Sequence, residues 1–239
     1  MSNLTKYEAY TPEAAQEERD AIQAGSSSFL KIGEGRHVLR FLPPKVGQRS
    51  PFTKVWQHFI NMPGRPDPIR FLCPAKEAKK FCPVCKKAQQ LIDSSKESDR
   101  KKGFDIRAKR RIYANVIHRD QEEEGVQIFA FGVMIYKALT AIAADEDAGG
   151  DFTDPITGFD IVVERKGTGL NTEYDVRPSR RSSELGNMDW LAEAPSHAHL
   201  LKVPTLDEIK GMFAEGQSEP EPEEDESIDE FIDTDFEEA

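Results

Sequence analysis

A chain of 239 residues with 38% hydrophobic and 31% charged residues can hold one sizeable domain or two small ones, but is poor in apolar residues for a single compact globule. Three cysteines, an odd number, argue against the paired framework of a small secreted disulfide protein. The sequence has no run of about 18 apolar residues and no signal-like N-terminus, so it predicts a soluble intracellular protein without a membrane span.

The net charge of −11 hides a sharp segregation of charge along the chain. Residues 219–239 carry twelve acidic side chains and no basic one. Residues 29–119 carry 22 Lys and Arg against 7 Asp and Glu, a local balance of +15. A basic body followed by an acidic end is typical of proteins that bind a polyanion.

Apolar periodicity and turn-forming residues predict short strands mixed with helices. The composition beyond Gly216 cannot build a core, so it predicts a disordered tail. Five or six strands interrupted by two or three helices favour a small, partly open barrel, mainly β with α, over a parallel βαβ sheet. Strands are predicted over 35–44, 51–60, 110–119, 126–132, 159–166 and 173–178, and helices over 12–24, 83–98, 133–145, 182–194 and 205–213.

The stretch FCPVCKK contains Cys82 and Cys85, a Cys-x-x-Cys pair that suits either zinc or reversible disulfide chemistry. A structural zinc site needs four ligands, and Cys73 supplies the third thiolate. His58 is the favoured fourth ligand because its strand runs into the loop, which gives the pattern His-x14-Cys-x8-Cys-x2-Cys. His37, in the preceding strand, is the second choice. A redox pair would need a βαβ setting, whereas a Lys-rich and Pro-rich loop precedes the pair.

Basic and aromatic side chains are concentrated around this cysteine-rich loop. Single-stranded nucleic acid binding uses both types, with cations along the phosphates and aromatic faces on which bases stack. The alternative interpretation is that strand aromatics belong to the core and that Lys and Arg form solvated faces. The density of both types over residues 54–113 favours binding. The candidate residues are Lys54, Trp56, Arg70, Lys79, Lys80, Lys87, Phe104, Lys109, Arg110, Arg111, Tyr113, Phe129 and Phe131.

Several segments in a fixed order resemble one known family. They are FLKIGEGRHVLRFLPP, the His and three-Cys set, KRRIYANVIHRD, QIFAFGVMIYKAL and FDIVVERKGTGLNTEYD, and together they span about residues 29–177. This order resembles the helix-destabilising single-stranded DNA-binding protein of T-even bacteriophages and its relatives, and the acidic C-terminus matches as well. The resemblance implies an OB-fold, a five-stranded partly open barrel, with an inserted zinc-binding subdomain and with DNA in a basic cleft between them.

The resemblance also assigns residues and boundaries. It implies one zinc ion on His58, Cys73, Cys82 and Cys85, and it places Tyr113, Phe129, Phe131 and Tyr174 on segments that line the DNA cleft. The expected organisation is an N-terminal arm over 1–28, an OB-fold core over 29–205 with the zinc subdomain at about 58–98, and a short helix with an acidic disordered tail over 206–239.

The leading functional hypothesis is a non-enzymatic, sequence-nonspecific single-stranded DNA-binding protein. The resemblance implies a phage-encoded protein of the host cytoplasm that protects and straightens single strands in DNA replication, recombination and repair. A zinc-containing transcription or assembly factor that binds duplex DNA or protein is the alternative. A third class, a thiol oxidoreductase, would require Cys82 and Cys85 to cycle without metal.

The acidic tail has a predicted role of its own. Its carboxylates are expected to compete with DNA for the basic body, and its apolar residues Phe231, Ile232 and Phe236 to contact replication and recombination proteins. Self-association along DNA, which the family mediates through a basic N-terminal patch, stays open. The reason is that residues 1–28 carry only Lys6 and Arg19 against five acidic side chains.

Overall fold

The computed structural model describes residues 29–145, 147 and 150–214. The predicted helix over 12–24 and the acidic tail with Phe231, Ile232 and Phe236 lie outside the described residues. The strands are β1 (Phe29–Leu30), β2 (Gly35–Phe41), β3 (Thr53–Ile60), β4 (Ile69–Leu72), β5 (Lys109–His118), β6 (Gln127–Phe131), β7 (Phe159–Lys166) and β8 (Glu173–Ser182). The α-helices are α1 (Pro74–Glu77), α2 (Pro83–Ile92), α3 (Glu97–Ile106), α4 (Val133–Ala144), α5 (Trp190–Glu193) and α6 (Leu206–Ala214).

The fold is rich in sheet and contains several helices, which confirms the predicted class, mainly β with α. The chain divides into two compact units. The sheet unit holds residues 29–52, 113–130 and 134–199, and the cluster unit holds residues 53–112, 131–133 and 200–214. The domain boundaries expected from the sequence stay predictions. None of the helices in the part of the chain that is described combines the length and apolarity that a bilayer crossing requires.

The sheet unit is built on strands in the order β1-β6-β5-β2-β7-β8. Strand β2 is antiparallel to both of its neighbours, so that Leu39 lies opposite His118 on one side and Ile161 on the other. Strand β2 ends at Phe41, earlier than the predicted 35–44, because the prolines at 43 and 44 have no N–H to donate to a neighbouring strand. The predicted strands over 110–119 and 126–132 correspond to β5 and β6, which are neighbours in the sheet and are connected by a short 3-10 helix over Arg119–Glu124.

Aromatic rings form the centre of the sheet unit. Phe41 is fully buried and contacts Phe52, Phe129 and Phe152 edge to face, with ring centroids 6.3, 6.5 and 5.6 Å apart. These edge-to-face contacts add to the stabilisation that comes from burying the rings. Phe129 is therefore a residue of this core.

The cluster unit begins with the antiparallel hairpin of β3 and β4, in which His58 lies opposite Phe71. The single helix predicted over 83–98 is two helices, since α2 ends at Ile92 and α3 begins at Glu97. The two helices approach closely at Gly103, where a Cβ atom would lie 2.8 Å from the Ala88 carbonyl oxygen. Glycine at this position permits the close packing of α3 on α2.

Candidate metal cluster and nucleic-acid groove

Four side chains converge in the cluster unit and form what we call the metal cluster: His58, Cys73, Cys82 and Cys85. Their ligand atoms all lie within 4.8 Å of one another. The Cys73 and Cys85 sulfurs are 3.3 Å apart, and His58 Nε2 lies 3.4 Å from the Cys82 sulfur and 3.6 Å from that of Cys85. The structure thus brings together the four residues that the sequence selects.

Each ligand has a defined position in its element. His58 is buried in β3, and the backbone N–H of Cys73, directly after β4, donates to the Trp56 carbonyl across the hairpin at 2.9 Å. Cys73 and Cys82 are the N-caps of α1 and α2, and each is followed by a proline that starts its helix. Helix N-termini carry partial positive charge, which favours the thiolate form of a cysteine located there.

Hydrogen bonding fixes the orientation of the His58 ring. Its Nδ1 lies 2.8 Å from the Ile106 carbonyl oxygen. A carbonyl only accepts, so Nδ1 carries a proton, and Nε2 is the ring nitrogen that faces the sulfurs. Metal-binding histidines commonly donate their second ring N–H to such an acceptor.

The four side chains of the cluster shift one another's pKa values. Burial lowers the pKa of His58, but hydrogen bonds to Cys73 and Cys85 outweigh burial and raise it to about 9. Hydrogen bonds from the other two thiols lower the pKa of Cys73, whereas hydrogen bonding to Cys73 and Cys85 together with burial raises that of Cys82. Buried thiolates repel one another, so a proton or a metal ion must compensate their charge.

The donor set suits a metal ion. In a tetrahedral site with Zn–S bonds of about 2.3 Å, neighbouring sulfurs lie about 3.8 Å apart. The observed Cys73–Cys85 separation of 3.3 Å is about 0.5 Å shorter, so the two sulfurs would move slightly apart around the ion. Three thiolates and one imidazole form a common structural zinc set and leave no ligand position open. The cluster could therefore hold a metal ion, and its chemistry is consistent with zinc.

A groove of about 800 Å³ lies beside the cluster within the same unit. Cys85 belongs to both, since it is a member of the metal cluster and lines the groove. Basic side chains, one large aromatic ring and several apolar side chains form the walls. The lining residues are Trp56, Ala75, Lys76, Cys85, Ala88, Gln89, Ile92, Arg107, Ala108, Lys109, Arg110 and Val133.

Trp56 is the aromatic residue of this groove and is only partly buried. Lys76 Nζ lies 5.6 Å from the indole ring centre, and the Arg110 guanidinium lies 5.4 Å from it. Both distances are within the range of cation–π attraction. The backbone N–H of Trp56 also donates to Glu77 Oε1 at 2.6 Å, which ties β3 to α1.

Two further pairs of ring and guanidinium lie in the cluster unit. The Arg111 guanidinium lies 5.6 Å from the Phe59 ring centre, and that of Arg107 lies 4.9 Å from Phe104. Phe104 is 45% exposed, so part of its ring is accessible to a base. Aromatic and basic side chains are thus paired in space here, as single-strand binding requires.

The structure separates the predicted DNA-binding residues into groups. Trp56, Lys109 and Arg110 line the groove. Arg111 and Phe104 form the two further ring pairs of the cluster unit. Five other predicted basic residues of this unit, exposed or partly exposed, are not among the groove-lining residues: Lys54, Arg70, Lys79, Lys80 and Lys87. Tyr174 is partly buried in β8 of the sheet unit.

Three predicted stacking residues are buried instead. Tyr113 is 5% exposed, and Phe129 and Phe131 are each 2% exposed. A base can stack only on a ring face that it can reach, so contact with these rings would require neighbouring side chains to move. Their DNA contacts stay predictions, and in this structure the rings belong to the core.

The remaining histidines pair elsewhere. His37, the second choice as a ligand, has its Nδ1 3.0 Å from His118 Nε2 in the sheet unit. His197 Nε2 lies 3.0 Å from Asn115 Oδ1, and Asn115 Nδ2 donates to the Pro195 carbonyl at 3.1 Å. Asn115, from the YAN segment, therefore connects β5 to the segment that contains Pro195 and His197.

Lys76 is a groove residue that the sequence analysis missed. It lies three positions after Cys73 in the short helix α1, which was not predicted. Arg107 lies one residue after Ile106, the acceptor of the His58 hydrogen bond. Closeness in sequence to a metal ligand, or to its hydrogen-bond partner, was the available signal for both.

Comparison with known proteins agrees with this geometry. The family model described as "gp32 DNA binding protein like" matches residues 33–204, which is more than half of the chain. A search of curated proteins found no significant match. The matched family is one of DNA-binding proteins and not of enzymes. The chain belongs to the gp32-like family of DNA-binding proteins.

Proposed function

We propose that this chain is a sequence-nonspecific single-stranded DNA-binding protein whose metal cluster holds one structural zinc ion. The observation that carries the proposal is the position of Trp56 in a groove, with Lys76 and Arg110 both within 5.6 Å of its ring. In the proposed complex a base stacks on the partly exposed Trp56 ring in place of a cation, and Lys76 and Arg110 turn to the neighbouring phosphates.

The same arrangement favours single strands over duplexes. In a duplex the faces of each base are covered by the neighbouring base pairs, so stacking on Trp56 requires an unstacked base. Aromatic stacking is tolerant of sequence because every base has a π-face, and cations along a backbone do not distinguish bases. Affinity should therefore depend on strandedness and salt much more than on sequence.

Zinc would organise the groove from the cluster. Trp56 lies two residues before His58, Lys76 lies three after Cys73, and Cys85 itself lines the wall. The Ile106 carbonyl that accepts from His58 directly precedes the basic run that starts at Arg107. Each wall of the groove therefore lies within a few residues, along the chain, of a proposed zinc ligand or of the residue that accepts the hydrogen bond from His58. Metal binding couples to folding at such sites, so zinc would hold these walls in place.

Family membership supports the wider role that we propose. A protein that covers, protects and straightens single strands without sequence preference serves DNA replication, recombination and repair, here in the cytoplasm of a phage-infected host. We assign contacts with replication and recombination proteins to the acidic segment 219–239, through Phe231, Ile232 and Phe236. The proposed organisation is the arm over 1–28, the core over 29–205 and the acidic end.

The test is a salt titration of binding to labelled oligo-dT by fluorescence anisotropy. For single strands, log K falls with log salt by about 0.7 per phosphate neutralised. The double variant Lys76→Ala/Arg110→Ala should show a shallower slope than the wild-type chain, by about 1.4 for two lost contacts. Lys102→Ala is the matched control, because Lys102 is exposed in α3 but does not line the groove.

Two outcomes would contradict the proposal. An unchanged slope in the double variant would mean that these cations only form a solvated face. Equal or tighter binding to a duplex of mixed sequence would favour the alternative, a duplex-binding factor.

A further inference from the structure

Helix α6 packs its apolar face into the core that surrounds the metal cluster. Its residues Ile209 and Phe213 are 0% and 2% exposed, and they share one hydrophobic core with Cys73 and Cys82. The other buried members of this core are Ile60, Ile69, Phe71 and Val84. Of eight buried residues, two are cluster thiols and two come from α6.

Polar contacts hold both ends of this helix. At its start, the Thr205 N–H donates to Glu208 Oε2 at 2.7 Å, and the Glu208 N–H donates to Thr205 Oγ1 at 3.2 Å, which forms a capping box. Near its end, Arg65 Nη1 donates to the Met212 carbonyl at 2.9 Å. A helix of nine residues is marginal in isolation, so α6 depends on docking for its stability.

We propose that α6 and the metal cluster fold as one cooperative element, in which zinc binding and docking of α6 stabilise each other. The inference rests on the zinc occupancy proposed above. Without the ion, Cys73 and Cys82 lose their fixed positions, and the surface on which Ile209 and Phe213 pack is lost with them. Thermodynamic linkage makes the coupling reciprocal, so loosening α6 must weaken zinc binding by the same factor.

The coupling extends toward the acidic segment. The twelve carboxylates of residues 219–239 follow α6 closely in sequence. Helix α6 ends at Ala214, before that segment begins. Docking of α6 therefore holds the chain up to Ala214 on the unit that carries the groove, and loss of zinc would release it.

The first experiment measures zinc transfer from the full-length protein to a chromophoric chelator. Ile209→Ala should release zinc at least about tenfold faster than the wild-type chain, because truncation of a buried isoleucine opens a cavity beside the ligands. Ile161→Ala is the matched control, since Ile161 is also 0% exposed but lies in the sheet unit. The control should release zinc at the wild-type rate. Equal release from Ile209→Ala and the wild type would overturn the coupling.

The second experiment needs no variant and covers the case in which Ile209→Ala does not fold. Hydrogen exchange of the wild-type chain is compared before and after zinc removal by a chelator. Peptides from residues 206–214 should lose protection together with those from residues 58–92. If residues 206–214 keep their protection after zinc removal while residues 58–92 lose theirs, the inference is wrong. If the purified protein binds no zinc at all, the proposed metal site is wrong as well, and this outcome is distinct from the other two.

Discussion

At the scale of single residues, Trp56 links the metal cluster to the basic groove. Lys76 and Arg110 both lie within 5.6 Å of its ring centre, and it is two residues from His58 in sequence. Trp56→Ala should weaken binding to oligo-dT by roughly 1–3 kcal/mol, the value of one base stacked on an aromatic ring. Trp56→Phe should retain part of that affinity, because a smaller π-face remains. Anisotropy titrations of both variants at one salt concentration measure the difference.

Substitution of Tyr113 distinguishes a role of its ring in base stacking from a role in the hydrophobic core. Because it is 5% exposed, Tyr113→Ala should lower the free energy of unfolding by about 3–5 kcal/mol, as other buried aromatic truncations do. Urea denaturation measures this loss. DNA affinity, corrected for the folded fraction, should change less than in Trp56→Ala. A variant of Tyr113 with wild-type stability and reduced affinity would show that its ring contacts DNA.

The proposed zinc site can be tested by replacing two of its proposed ligands, His58 and Cys82, and measuring how much zinc each purified variant contains. Cys82→Ser and His58→Ala should each lose stoichiometric zinc and, with it, oligo-dT affinity, because one ligand of a closed four-ligand site is missing. His199→Ala is the control, since His199 is exposed and lies outside the cluster. Atomic absorption of the purified proteins gives the zinc content. A full zinc equivalent in Cys82→Ser would contradict the ligand assignment.

At the scale of elements, the contact between Asn115 of β5 and His197 should make the stability of the fold depend on pH. Burial, with smaller effects from His199 and Lys45, lowers the pKa of His197 to about 4. The unfolded value is about 6.5, so the folded state binds fewer protons between these two values. This contribution to stability is complete above pH 6.5 and is lost as pH falls toward 4. Each unit of pKa separation corresponds to at most about 1.4 kcal/mol, less after screening by solvent.

His197→Gln tests whether His197 causes this loss of stability at low pH, because glutamine keeps an N–H donor for Asn115 but does not titrate. Urea unfolding at pH 7.5 and pH 5 should show a smaller loss of stability in the variant than in the wild-type chain. An equal loss in both proteins would place the acid sensitivity in other groups.

Local patterns in the sequence were sufficient to predict several elements and the four residues that converge in the metal cluster. Pro83 after Cys82 indicates a helix start, and the helix does begin there. The Cys-x-x-Cys spacing places two sulfurs in one turn, which is a local property. The proximity of Arg110 to Trp56 is not local, since the two residues are 54 positions apart, and only tertiary packing brings them together.

Three of the predicted stacking residues, Tyr113, Phe129 and Phe131, are buried in this structure. An aromatic residue in a strand with alternating pattern is compatible with either face, and the sequence does not say which face is covered. Phe129 and Phe131 occupy buried positions of β6, whereas Trp56 occupies a partly open position of β3. The docking of α6 on the metal cluster was also not predictable, because its amphipathic pattern identifies an apolar face but not the surface that it covers.

At the scale of the whole molecule, segregated charge predicts competition between the acidic segment and DNA. Truncation after Gln217 removes the twelve carboxylates and should tighten oligo-dT binding at low salt. The gain should fade with added salt because screening weakens attraction between the segment and the basic body. Crosslinking of the intact protein distinguishes competition from general repulsion: contacts of the segment with the basic body should disappear when DNA is added. Contacts that are equal with and without DNA would reject competition.

The most direct test of DNA binding in the groove is the fluorescence of Trp56 alone. The chain has two tryptophans, so Trp190→Phe leaves Trp56 as the only indole reporter. Titration of this variant with oligo-dT should quench Trp56 emission to saturation, at the same DNA concentrations at which anisotropy of the labelled oligonucleotide reports binding. Binding by anisotropy with unchanged Trp56 emission would contradict the placement of single-stranded DNA in this groove.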